Sequence, residues 1–169
     1  MSVPTIRPAT PEDLPALHPV IERAYRGDAA RGGWTHEADL IAEGTRTDLA
    51  TLEAILADPA QRLLIAVSES GPIGCVQVTD KGDRLAYLGL LCVDPNLQAG
   101  GLGKLLVAAA EDCARETFGA TRMEMTVIDR RIELIAYYER RGYVNAGEKR
   151  DFVIPLDPPL FMDVLVKAL

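Results

Sequence analysis

The spacing of apolar residues divides the chain into short elements of alternating type. Ile6-Arg7-Pro8 reads as a short edge strand. Thr10-Pro11-Glu12-Asp13 is a helix start, with a hydroxyl N-cap, a proline in the first turn and acids on the positive end of the dipole. That helix is expected to run to about Tyr25, made irregular by Pro15 and Pro19. Thr47-Asp48 opens a second helix, with Leu49, Leu52, Ile55 and Leu56 on one face, ending before Pro59. Three strand-like runs follow, at 63–68, 73–79 and 85–93, broken at Gly71-Pro72 and Lys81-Gly82-Asp83. They predict an antiparallel meander.

Beyond Asp94-Pro95 a glycine-rich turn leads into a helix whose apolar stripe is expected at Leu102, Leu105, Leu106, Ala109 and Cys113. Residues 122–127 alternate as a strand, with Met123, Met125 and Val127 on one face. Residues 132–141 read as a helix stopped by Gly142, and 144–149 and 162–167 close the chain as strands. Between the first two helices, residues 26–46 form a glycine-rich loop with a short helix expected at 37–42. This order predicts an α+β domain around a mixed sheet, with residues 1–169 as one domain.

Composition narrows the function. The 169 residues are 48% apolar and 25% charged, as in ordinary globular proteins, and hold no repeat or low-complexity tract. No apolar run approaches the ~20 residues that span a bilayer, and the N-terminus lacks a signal core. The cytoplasm is the expected location, with no membrane partner. A net charge of −7 argues against a nucleic-acid binder, which needs a basic face. Cys75, Cys92 and Cys113 form no CxxC pair and read as reduced, buried thiols. Neither His18 nor His36 has metal-ligand spacing to another donor, so no metal is expected.

The sharpest local signal is Gln98-Ala99-Gly100-Gly101-Leu102-Gly103-Lys104, between a strand and an amphipathic helix. Glycines let backbone approach a ligand, and the first helical N–H groups lack partners, so the turn offers donors and partial positive charge to a phosphate. Lys104 adds a cation. The turn is not a Walker loop, because Gln98 and Leu105 stand where that loop needs Gly and Ser or Thr. Nor is it a dinucleotide fingerprint, since Leu106 takes the place of the third small residue. From these residues alone, a turn with no ligand stays open as the other reading.

Two motifs on their expected elements change that balance. Gln98-x-x-Gly101-x-Gly103, preceded by Leu91-Cys92-Val93-Asp94-Pro95, resembles the acetyl-CoA signature of the GNAT N-acetyltransferase family. Tyr137-Tyr138-Glu139-Arg140-Arg141-Gly142-Tyr143 resembles that family's aromatic-Tyr-x-x-x-Gly-aromatic segment. The order of elements is similar from Ile6 to the last strand. The resemblance implies a mixed, mostly antiparallel central sheet flanked by helices, and transfer of an acetyl group from acetyl-CoA to an amine. It implies that the pyrophosphate lies on the amides of Gln98, Ala99, Gly100, Gly101, Leu102, Gly103 and Lys104. The pantetheine arm would pair with the backbone of Leu91, Cys92 and Val93. N–H groups of that strand would stabilise the thioester oxygen.

Direct transfer needs a neutral amine and a protonated leaving thiol. Tyr138 holds the position where the family commonly places the acid, although a merely packed aromatic is the other reading. Many members carry an acidic residue where this chain has Gly89, which leaves the base open: ordered water, Glu124, Glu37 or Asp39. Arg131 replaces a frequent asparagine and reads either as a CoA-phosphate contact or as a surface arginine. The acceptor groove is expected from the first helices and their loop, with Trp34, Glu37 and Asp39 as its candidate residues; Trp34 reads equally as a staple of that loop. An amine acceptor and either a monomer or a homodimer follow. Two other classes stay open: a non-catalytic acyl-CoA sensor, suggested by Gly89, and a partner-binding domain that keeps the fold alone.

Overall fold

The computed structural model describes residues 4–25, 46–152 and 156–169. The runs expected as a meander form one, because each ends in turn chemistry that folds it back on its neighbour, and the first strand joins its outer edge. These are β1 (Thr5–Pro8), β2 (Gln61–Ser68), β3 (Gly71–Asp80) and β4 (Leu85–Val93), each antiparallel to the next. The chain then crosses over through α3 (Leu102–Phe118), so β5 (Arg122–Ile128) lies parallel to β4. Helix α4 (Ile132–Glu139) leads to β6 (Val144–Asp151) and β7 (Phe161–Ala168). Strand β7 inserts between β5 and β6, which gives the sheet order β1-β2-β3-β4-β5-β7-β6.

The N-terminal helices cover one face. Pro11–Asp13 forms a 3-10 turn before α1 (Leu14–Tyr25), which accommodates Pro19, and α2 (Leu49–Ala57) starts at Asp48, whose carboxylate accepts from the Thr51 N–H at 2.7 Å. Leu17, Ile21, Ala24 and Leu52 pack on Leu63, Ile65, Cys75 and Cys92. On the opposite face Leu106, Ala110 and Ala114 of α3 pack with Val76, Val93, Met123 and Met125. At ~25 cal/mol per Å² of apolar surface, these two layers are the main favourable contribution to stability.

Helix α3 is rotated from its expected stripe. Leu102, Gly103, Leu106, Val107, Ala110, Glu111 and Ala114 are buried, whereas Leu105 is 46% exposed. A buried carboxylate on that face is tolerable because Glu111 accepts from the Tyr143 hydroxyl at 2.9 Å and from Lys167 Nζ at 3.1 Å. Polar pairing from the segment after α4 and from β7 goes with this orientation, which the apolar spacing of the helix left open.

Gly74 sets how closely α3 approaches the sheet. A Cβ there would stand 2.6 Å from the Cys92 carbonyl oxygen and 3.2 Å from Leu106 Cδ1. The missing side chain lets α3 rest on the end of β4, placing the helix start beside that strand's exit.

Candidate active site

The two central strands touch only at one end. Strand β4 pairs with β5 through Leu85↔Arg122, Ala86↔Met123 and Tyr87↔Glu124, and no further. The Tyr87 hydroxyl bonds the Thr126 hydroxyl and closes the vertex. Among the described residues, no strand pairs with Leu88 to Cys92 on this side of β4. Backbone groups left open in a sheet interior are available to an extended ligand.

A bulge shapes this edge. Cys75 opposes Cys92 and Gln77 opposes Gly89, so Val76 faces two residues, Leu90 and Leu91. Leu90 takes φ 50°, a left-handed conformation that costs a branched residue about 1–2 kcal/mol. Side chains hold the strained segment on both carbonyls. The Cys75 thiol donates to Leu90 O at 3.3 Å, and the Tyr25 hydroxyl donates to Leu91 O. Hydrogen bonding with Cys92 and burial raise the Cys75 thiol well above its ordinary value, so it stays protonated as a donor.

A cavity of about 320 Å³ fills the gap, lined among others by Tyr25, Arg46, Tyr87, Leu91, Arg131 and Tyr138. Tyr138 is 5% exposed on α4, its ring edge-on to Tyr137 at 5.4 Å and to Tyr143 at 6.1 Å. Burial pushes its hydroxyl well above the ordinary tyrosine range, with Tyr137 and Tyr87 adding to the shift and Arg131 opposing it. The group therefore keeps its proton across the neutral range. A free thiol titrates near ~8.5, so complete transfer from Tyr138 to a thiolate runs uphill, and the hydroxyl acts best by hydrogen-bonding a sulfur as charge develops.

The glycine turn continues directly from β4. Pro95–Gly100 is a 3-10 turn begun by Asp94, whose carboxylate accepts from Asn96 N at 3.1 Å and pairs with Arg23 at 3.2 Å. Gly101, at φ 78°, is the N-cap of α3 and offers no side-chain cap to the helix. A Cβ on Gly100 or on Gly101 would meet nothing within 4 Å, and Lys104 is exposed on the first turn. Open backbone, an uncapped helix N-terminus and a cation fit a diphosphate.

The sequence candidates divide accordingly. Leu91, Arg131 and Tyr138 line the cavity, while the turn from Gln98 to Lys104 lies outside it, beyond the end of β4. Cys92 and Val93 bury their side chains in opposite cores. Arg131 is half-buried at the N-cap of α4, on the cavity wall shared with Tyr138, rather than on the outer surface or at the turn. Glu124 is 6% exposed and held at 2.6 Å by Arg150 on β6, so its carboxylate is committed to an ion pair. Trp34, Glu37, Asp39 and the helix expected at 37–42 lie outside the described residues. Tyr25 and Arg46, the ends of the loop expected to build the acceptor groove, line the cavity, whereas Tyr87 and Thr126 escaped the sequence reading because they meet only where distant strands converge.

Comparison with known proteins agrees with this geometry. The profile of the acetyltransferase (GNAT) family matches residues 22–143. A mycothiol acetyltransferase from Salinispora arenicola (strain CNS-205) is 31% identical over 144 residues, 82% of this chain but only 43% of the relative. The chain thus spans under half the length of that curated relative. A ribosomal-protein-alanine N-acetyltransferase structure from Brucella melitensis superposes with a TM-score of 0.74 at 22% identity, covering 98% of this chain and 99% of that one. Spermidine/spermine N-acetyltransferase SpeG from Vibrio cholerae gives 0.70 at 16% identity, covering 98% and 92%. At such identities the solved structures speak for the fold alone. With the profile spanning the α1 end, the split strands, the glycine turn and the α4 tyrosines, the chain belongs to the acetyltransferase (GNAT) family.

Proposed function

We propose that this protein transfers the acetyl group of acetyl-CoA to a primary amine of a small molecule or a protein, with Tyr138 as the acid toward the leaving sulfur. The observation that carries the reading is the placement of Tyr138 on the wall of the cavity opened by the β4–β5 split, opposite the unpaired edge of β4. A cavity of 320 Å³ lies at the small end of ligand sites, which run to ~1,000 Å³. It suits the reacting ends of two substrates. The rest of the coenzyme would extend along β4 to the turn at Gly100 and Gly101.

In this reading the amine nitrogen attacks the thioester carbon, the new C–N bond forms and the C–S bond breaks. Backbone N–H groups of the bulge stabilise the carbonyl oxygen as it gains charge. Tyr138 donates a hydrogen bond to the departing sulfur as it gains charge, the thiolate takes its proton from solvent, and the proton on the new amide nitrogen leaves to solvent. An alkylamine of pKa near ~10.4 must lose a proton before attack, and at neutral pH that step limits the reactive fraction. Trp34, Glu37 and Asp39 are proposed to line the acceptor groove.

Calorimetry with acetyl-CoA, followed by release of free thiol with a panel of amines, tests the reading. Heat on mixing and amine-dependent thiol release are expected. An absence of heat would remove the coenzyme site. Binding with no thiol release from any amine would leave the sensor.

A further inference from the structure

The bulge on β4 is a strained segment whose two carbonyls are both occupied by side chains from elsewhere in the fold. Leu90 O receives the thiol of Cys75 on the neighbouring strand at 3.3 Å, and Leu91 O receives the hydroxyl of Tyr25 at the last turn of α1. A planar trans peptide points its N–H opposite its C=O. With Leu90 O turned toward the Cys75 thiol, the N–H of Leu91 is turned away from that thiol, and Leu91 lines the cavity where β4 has lost its β5 partner. A segment at φ 50° does not stay in that orientation by its own preference; the surrounding contacts must hold it.

We propose that Tyr25 and Cys75 are positioning residues that fix the Leu90–Leu91 bulge so that the Leu91 N–H is presented to the thioester oxygen. The inference rests on the acetyl-CoA reading above. Tyr25 is the stronger member, since a phenol donates a better hydrogen bond than a thiol. Its ring is itself held by the Arg46 guanidinium, whose carbon stands 5.0 Å from the ring centroid. Removing the hydroxyl keeps the ring and releases the Leu91 carbonyl, so the peptide gains freedom where direction matters. Small misplacements of a catalytic donor cost up to ~100-fold in rate.

The test uses acetyl-CoA carrying ¹³C at the thioester carbonyl and reads its stretching frequency by isotope-edited infrared difference spectra on the full chain. Bound to the wild type, the carbonyl is expected to shift to lower frequency than in water, as an aligned N–H polarises it. Tyr25→Phe is expected to lose most of that shift while acetyl-CoA affinity changes less than about threefold, and Cys75→Ala to lose a smaller part. A shift unchanged in folded Tyr25→Phe overturns the inference and leaves the coenzyme reading standing. Should Tyr25→Phe fail to fold, an unchanged shift in Cys75→Ala overturns it as well. Wild-type protein that binds no acetyl-CoA overturns both. A purely structural role for Tyr25 would lower the melting temperature without moving the carbonyl band.

Discussion

The Tyr143 hydroxyl donates to the Glu111 carboxylate at 2.9 Å, tying the segment that follows α4 to the buried face of α3. Lys167 of β7 completes the contact from the other side at 3.1 Å, so three separate elements meet on one buried carboxylate. Breaking a buried ionic contact from one side leaves the remaining charge without compensation. Glu111→Leu is therefore expected to cost about 3–5 kcal/mol, and Tyr143→Phe about 1–3 kcal/mol, by urea denaturation. Losses below ~0.5 kcal/mol in both variants would mean that solvent satisfies the site.

Gly74 offers a packing test. Its absent Cβ leaves room for a backbone oxygen that would otherwise lie at 2.6 Å, and backbone yields less readily than a side-chain tip. Gly74→Ala should destabilise by about 1–3 kcal/mol, the range for overpacking in a close-packed core. Because the same contact sets α3 against β4, weaker binding of acetyl-CoA should accompany it. A neutral effect on thermal melting would remove this account of the glycine.

Two adjacent glycines in the turn should fail for different reasons. Gly101 is at φ 78°, so Gly101→Ala is strained and should lose about 1 kcal/mol of stability. Gly100 carries no such requirement and has open space around it, so Gly100→Glu should fold normally. It puts a negative charge where the diphosphate is proposed to lie, and calorimetry should find acetyl-CoA binding abolished. Wild-type affinity in Gly100→Glu would move the coenzyme elsewhere.

Tyr138→Phe separates chemistry from binding. Turnover should fall at least ~10-fold, as for loss of an acid, while acetyl-CoA affinity is kept. Because burial raises the Tyr138 hydroxyl, wild-type turnover should show no loss of this acid as pH climbs toward ~10. A decline there that vanishes in Tyr138→Phe would contradict the raised value.

Alkaline stability follows from two buried phenols. Burial raises Tyr138, and burial followed by the Glu111 charge raises Tyr143, so both hold their protons in the folded chain above the ordinary value of ~10. On unfolding they return to that value and lose protons first, so the contribution is full below pH ~10 and declines above it. On this account denaturation midpoints should stay level from pH ~8 to pH ~9.5 and fall above pH ~10, less steeply in Tyr143→Phe. Equal slopes would assign the alkaline loss to other groups.

Most elements that frame the candidate site were legible in local chemistry. Meander strands, the glycine turn ahead of α3 and the tyrosine-bearing helix each announce themselves within a few residues, through alternation, turn residues and helix signals. The turn from Gln98 to Lys104 was singled out by such local chemistry, whereas Tyr138 was singled out by the family resemblance of its segment. Glu124 shows the limit of that reading. Its place on the polar side of a strand suggested a free acid, yet the facing Arg150 comes from a strand reached only after another helix and turn.

Residue spacing by itself determined which segments become helix or strand and where backbone is bare enough for an anion, because those depend on φ/ψ preference and on periodicity along the chain. Only the tertiary structure decided that β7 inserts between β5 and β6, that β4 and β5 part after Tyr87, that α3 turns Glu111 inward and that Tyr25 reaches Leu91. These are contacts between residues far apart in the chain. Their outcome depends on which partner satisfies a buried carbonyl or carboxylate, and no local pattern encodes that choice.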